Sequence, residues 1–151
     1  MQGRDARAYD IDSGVISLDE GLRRADIRLP SCLYDDLRYA AVDDGFGYYY
    51  KVFLRLESSE ECVNRFLAAN GMRGLLQAER IGGRDAERPL SFRSRWMDEG
   101  VVTAMGWQIG PEQRFQEFSV GKPNLYSVHA LVQHMPDSQN IWAYVYVAHG
   151  G

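Results

Sequence analysis

The chain has 151 residues, of which 45% are hydrophobic, 12% aromatic and 25% charged, and a formal net charge of -4. That length supports one domain burying roughly two-thirds of its unfolded surface, and the composition excludes the disordered class. Residues 1–90 hold 13 basic and 16 acidic groups and residues 91–151 hold 4 and 5, so neither half has a nucleic-acid footprint, and no apolar run reaches the roughly 18 residues of a membrane span.

Residues 1–16 are polar and aperiodic and read as a flexible N-terminal arm ahead of a single α+β domain over 17–151. Ser17 and Glu20 make a capping box, and Leu18, Leu22 and Ala25 give a short helical stripe that Pro30 stops. Asp36 to Val42 alternates Leu37, Tyr39 and Ala41 against Arg38 and Ala40, a half-buried strand running into the turn signal Asp43-Asp44-Gly45. Tyr48 to Glu57 is a second strand with Tyr50, Val52, Leu54 and Leu56 on one face, and the two form an antiparallel hairpin.

A second capping box, Ser58 with Glu61, opens a helix whose inward stripe is Cys62, Val63, Phe66 and Leu67, and Asn70-Gly71 stops it. A short helix is predicted over Leu75–Arg80, and Gly82-Gly83-Arg84-Asp85 with Pro89 marks a long loop. Ser94 to Met105 has helical spacing interrupted by Gly100. Strands follow at Phe115–Val120, Leu125–His134 and Ile141–His149, the last two as hairpin partners. The expected fold is a twisted antiparallel sheet of about five strands with two to three helices packed on one face. Phe66, Leu54 and Val145 are expected core residues.

Cys32 and Cys62 are the only thiols; one heads a strand-like segment and the other lies on the apolar face of a predicted helix, a placement that points to a disulfide. A structural disulfide places the chain outside the reducing cytosol. Since the first residues have no apolar signal core, the expectation is that any targeting segment has been removed and that Met1 is an added start codon.

Several stretches carry a resemblance: Ile27-Arg28-Leu29-Pro30-Ser31-Cys32, Asp35-Asp36-Leu37-Arg38-Tyr39, Gly45-Phe46-Gly47-Tyr48-Tyr49, Met105-Gly106-Trp107, Phe115-Gln116-Glu117-Phe118 and Gly121-Lys122-Pro123. Over residues 17–151 the chain resembles small exported proteins and lipoproteins of actinobacteria, Streptomyces-like in particular. The resemblance implies secreted or cell-surface-anchored placement, with a lipid anchor upstream as one route, and a cystine. It implies no activity, cofactor or catalytic set.

The candidate chemistry is sparse. His129 and His134 are five apart on one strand and point to opposite faces, and His149 lies near the C-terminus, so no metal-ligand triad follows. A Ser127–His129 arrangement lacks the Gly-x-Ser-x-Gly elbow, whereas Glu117 between Phe115 and Phe118 is a candidate carboxylate in an apolar setting and with His129 makes a hydrolase-like alternative. The aromatic ladder is more suggestive. Trp142, Tyr144 and Tyr146 share one face of the last strand while Ile141, Ala143, Val145 and Val147 supply the core on the other, so the ladder is surplus to folding unless a second layer covers it.

With Tyr49 and Lys51 as neighbours, that ladder is the expected binding face. The expected function is an extracytoplasmic, non-catalytic binding module that needs no cofactor and takes a cell-envelope protein or small ligand. An immunity or inhibitor protein for a secreted toxin or enzyme is a third form of the same idea.

Overall fold

The computed structural model describes Tyr9 and residues 17–34, 37–43, 50–72, 87–89, 105–107, 114–121, 126–134 and 140–149. In chain order the elements are α1 (Leu18–Ala25), a 310 turn (Ser31–Leu33), β1 (Leu37–Asp43), β2 (Tyr50–Ser58), α2 (Glu60–Ala69), β3 (Arg88–Pro89), β4 (Arg114–Gly121), β5 (Tyr126–His134) and β6 (Ile141–His149). The strands form one antiparallel sheet in the order β1-β2-β6-β5-β4-β3, in which the two-residue β3 borders five long strands. The α+β class, the hairpin β1-β2 and the hairpin β5-β6 are as expected from the alternation. The segments read as a helix over 75–80 and as a loop over 82–85 lie outside the described residues, as do Tyr48, Tyr49 and most of 94–105.

Strand alternation gives the sheet two faces. One carries Leu37, Tyr39, Ala41, Val52, Leu54, Leu56, Val128, Ala130, Val132, Ala143, Val145 and Val147, all buried against α1 and α2 in the main core, where Phe66 is fully enclosed. α1 lies there because Leu18, Gly21, Leu22 and Ala25 recur at helical spacing, and its Ser17 hydroxyl accepts from the Glu20 N–H as the capping box requires. Gly21 permits a close approach, since a Cβ at that position would stand 3.0 Å from the Ala41 Cβ and 3.6 Å from Val52 Cγ2.

α2 begins one residue later than its capping box suggests. Ser59, not Ser58, is the N-cap, and its hydroxyl accepts from the Cys62 N–H at 3.2 Å. Ser58 is held in β2 by pairing with Ile141, so tertiary strand pairing decides between two adjacent serines.

Two fastenings hold the segment after α1 against α2. Cys32 sits in the 310 turn, where a strand-like start was expected, and is bonded to Cys62 in the first turn of α2, closing a separation of 30 residues. At the other end of α2, the buried Asn70 donates from Nδ2 to the carbonyls of Arg28 and Phe66, each at 2.8 Å, while its Oδ1 accepts from the Arg28 N–H at 2.9 Å. Both amide hydrogens and the amide oxygen of this buried side chain are thus bonded.

Candidate functional site

The second face of the sheet carries the candidate residues. β2 contributes Lys51, Phe53, Arg55 and Glu57, and the register sets Phe53 opposite Tyr146, Arg55 opposite Tyr144 and Glu57 opposite Trp142. β5 continues the rows with His129 opposite Tyr146, Leu131 opposite Tyr144 and Gln133 opposite Trp142. Trp142, Tyr144 and Tyr146 therefore share one face of β6, as the alternation predicts.

That face is not open. Tyr144 and Tyr146 are only 3% and 4% exposed, which corrects the expectation of an accessible ladder. They are covered by a second cluster made of Tyr9, Met105, Trp107 and Phe115 together with Phe53, Leu131 and Ala40. The rings of Trp107 and Tyr144 lie 5.0 Å apart, Phe53 and Tyr146 4.9 Å, and Phe115 stands edge-on to Tyr144 at 6.1 Å. Such tilted and edge-to-face contacts suit the ring quadrupoles. Tyr9 is the key to the cover. Its N–H donates to the Tyr39 carbonyl on β1, and its hydroxyl accepts from the Trp107 indole N–H at 2.9 Å. One residue of the stretch read as a loose arm is thus anchored and buried.

Burial raises the Tyr144 hydroxyl pKa to about 12, with Tyr9 adding to the rise and the Arg55 cation opposing it. Tyr144 therefore stays neutral and packs as a buried ring with a polar tip.

Trp142 differs from its two neighbours. It is half-buried at the end of the row, edge-on to Tyr144 at 6.2 Å, with the Arg55 guanidinium 5.2 Å from its ring centre. Among the described residues, Arg55 Nε and Trp142 Nε1 are buried donors with no acceptor. Glu57, opposite Trp142, accepts from the Asn140 amide at 3.3 Å. Arg38 is opposite Arg55 on β1, and its guanidinium lies 4.4 Å above the Tyr9 ring.

The chain matches no protein-family model, no curated protein and no solved structure.

Lys51 lies on the same face, half-buried and two residues from Phe53, while Tyr49 lies outside the described residues. Glu117 and His129 share this face diagonally across β4 and β5, where Glu117 is opposite Leu131 and His129 opposite Ser119. Glu117 is exposed, so the apolar setting expected for it is absent. His129 is half-buried, and desolvation holds its imidazole below the ordinary value of 6.5. His134 points to the opposite face, where its N–H donates to the buried Glu87 carboxylate at 2.9 Å and its Nδ1 lies 2.7 Å from the same oxygen. That contact ties the start of β3 to the end of β5. Among the described residues no three His, Cys, Asp or Glu side chains gather as metal ligands.

Sequence reasoning put Trp142, Tyr144 and Tyr146 on one face but missed the layer that covers Tyr144 and Tyr146. Tyr9 is an isolated aromatic in a polar stretch, and Trp107 is 98 residues from it in the chain. No periodicity links such positions.

Proposed function

We propose that this chain is a non-catalytic binding module of the extracytoplasmic space, and that it engages its partner through the half-exposed Arg55 and Trp142 corner of the aromatic face. The observation that carries this reading is a contrast along one strand. Tyr144 and Tyr146 are sealed by the second cluster, whereas Trp142 is left half-open beside an arginine, with a buried indole N–H that has no acceptor among the described residues. Tryptophan and arginine dominate binding hot spots because they combine large apolar area with directed donors. Lys51 adds a cation to the same face.

Placement outside the cytosol rests on the Cys32–Cys62 bond, since reducing thiol systems do not leave such bonds in place. No described helix is long and apolar enough to cross a membrane. An exported protein of the actinobacterial, Streptomyces-like kind, secreted or lipid-anchored, fits this reading. An immunity or inhibitor protein is one form of it, with a secreted toxin or enzyme as the partner. The hydrolase-like alternative through Glu117 and His129 has less support, because Glu117 is exposed.

The test is affinity capture from cell-envelope extracts with three immobilised proteins: the wild type, Trp142→Ala and Arg55→Gln. A partner held by the wild type and weakened about tenfold or more by each substitution is the expected result. Equal capture by all three proteins overturns the reading.

A further inference from the structure

We infer that Arg55 and Trp142 form a carboxylate-binding subsite, the group recognised being a free carboxylic acid or an acidic side chain of a protein partner. This deepens the binding-module reading and rests on it for its biological setting, but its chemistry stands on the geometry alone.

Three observations converge. Arg55 and Arg38 are directly opposite across β1 and β2, and like charges so placed repel unless an anion lies nearby. Neither makes an ion pair among the described residues; instead Arg38 lies over Tyr9 and Arg55 over Trp142. Next, Arg55 Nε and the indole Nε1 are both withdrawn from water without an acceptor, and the arginine stands over the same indole. Buried N–H groups are nearly always paired, so two on contacting side chains call for an acceptor. Finally, Glu57, which faces Trp142 from β2, bonds the Asn140 amide and leaves these donors unserved.

A carboxylate suits the set. Its two oxygens can each accept from a different N–H group, and the Nε side of a guanidinium is half of the fork that carboxylates prefer. A tetrahedral dianion such as phosphate would meet stronger repulsion from the Glu57 carboxylate. The Trp142 ring adds an apolar wall for whatever carries the acid group.

The experiment follows the Trp142 indole N–H in 15N–1H spectra of the whole chain, its peak identified by its loss in Trp142→Phe. Sodium acetate is added at constant ionic strength against sodium chloride, with inorganic phosphate as a second arm. The expected result is a saturable acetate-dependent shift, with phosphate weaker than acetate. Arg55→Lys, which keeps the charge and stem but lacks the Nε–H, weakens acetate binding by about tenfold, as loss of a charge-assisted hydrogen bond implies. An indole that ignores acetate, a shift equalled by chloride, or an unchanged shift in Arg55→Lys overturns the inference.

Adding acetate to the captured complex separates the sources. Release of the partner assigns the carboxylate to its acidic side chain, and retention assigns the subsite to a small acid. Capture without an acetate response defeats the subsite and spares the module, whereas an acetate response without capture does the reverse.

Discussion

His129 stands between Ser119 and Tyr146 on the aromatic face, and its burial disfavours the imidazolium. Its native pKa is therefore below the unfolded value, so on acidification the unfolded chain binds a proton that the native state refuses. Stability contributed by this group is complete above the ordinary value of 6.5, falls as the pH drops through it, and levels off below the depressed native pKa. Urea unfolding midpoints at about pH 7.5 and about pH 5 should differ less in His129→Gln than in the wild type. An unchanged difference would assign the acid sensitivity to other groups. At the same scale, residues such as Leu54, Phe66 and Val145 were legible from periodicity alone, because each sits on the apolar side of a regular element. Truncating Phe66 to alanine should cost about 3–5 kcal/mol, measured by denaturant unfolding.

Helix α1 meets the sheet through Gly21, and this contact sets its distance from β1. In Gly21→Ala the helix gains about 1 kcal/mol of propensity, but the new methyl meets the Ala41 Cβ, which is fixed to the strand backbone and cannot rotate away. The expected net effect is a loss of about 1 kcal/mol, and the double variant Gly21→Ala/Ala41→Gly should lose less than the sum of the two singles in chemical denaturation. Helix α2 is tied twice, and the ties differ in kind. Reducing Cys32–Cys62 frees a 30-residue loop in the unfolded chain and should lower stability by about 3–4 kcal/mol. The Asn70 clamp remains, so the reduced protein should keep its far-UV circular dichroism while its denaturation midpoint falls. An unmoved midpoint contradicts the entropic argument. These elements were readable in sequence because caps and alternation are local signals. The error at Ser58 arose where a distant strand, β6, extended β2 past its apparent end.

The described residues form one sheet with an aliphatic and helical layer on one side and an aromatic layer over much of the other. The first layer was foreseeable, since valine and leucine alternation announces it. The second was not, because its cover comes from single residues in segments without periodicity, Tyr9 and Trp107 above all. The candidate binding face consequently shrinks from three rings to one corner. Strands flanked on both sides should also be the last to open. Amide hydrogen exchange is expected to be slowest in β2, β5 and β6 and faster in the edge strand β1 and in the short β3, and amides of α2 outlasting those of β6 would contradict this order.

Strand β6 comes after every other described strand in the chain and yet lies between β2 and β5. The hairpins β1-β2 and β4-β5 can form early, but neither can join the other until Ile141–His149 slides between them. A chain emerging from the ribosome N-terminus first would carry two unjoined half-sheets until Ile141–His149 arrived. Closure of the sheet therefore waits on β6, and until it is inserted each hairpin keeps one edge unpaired and open to wrong partners.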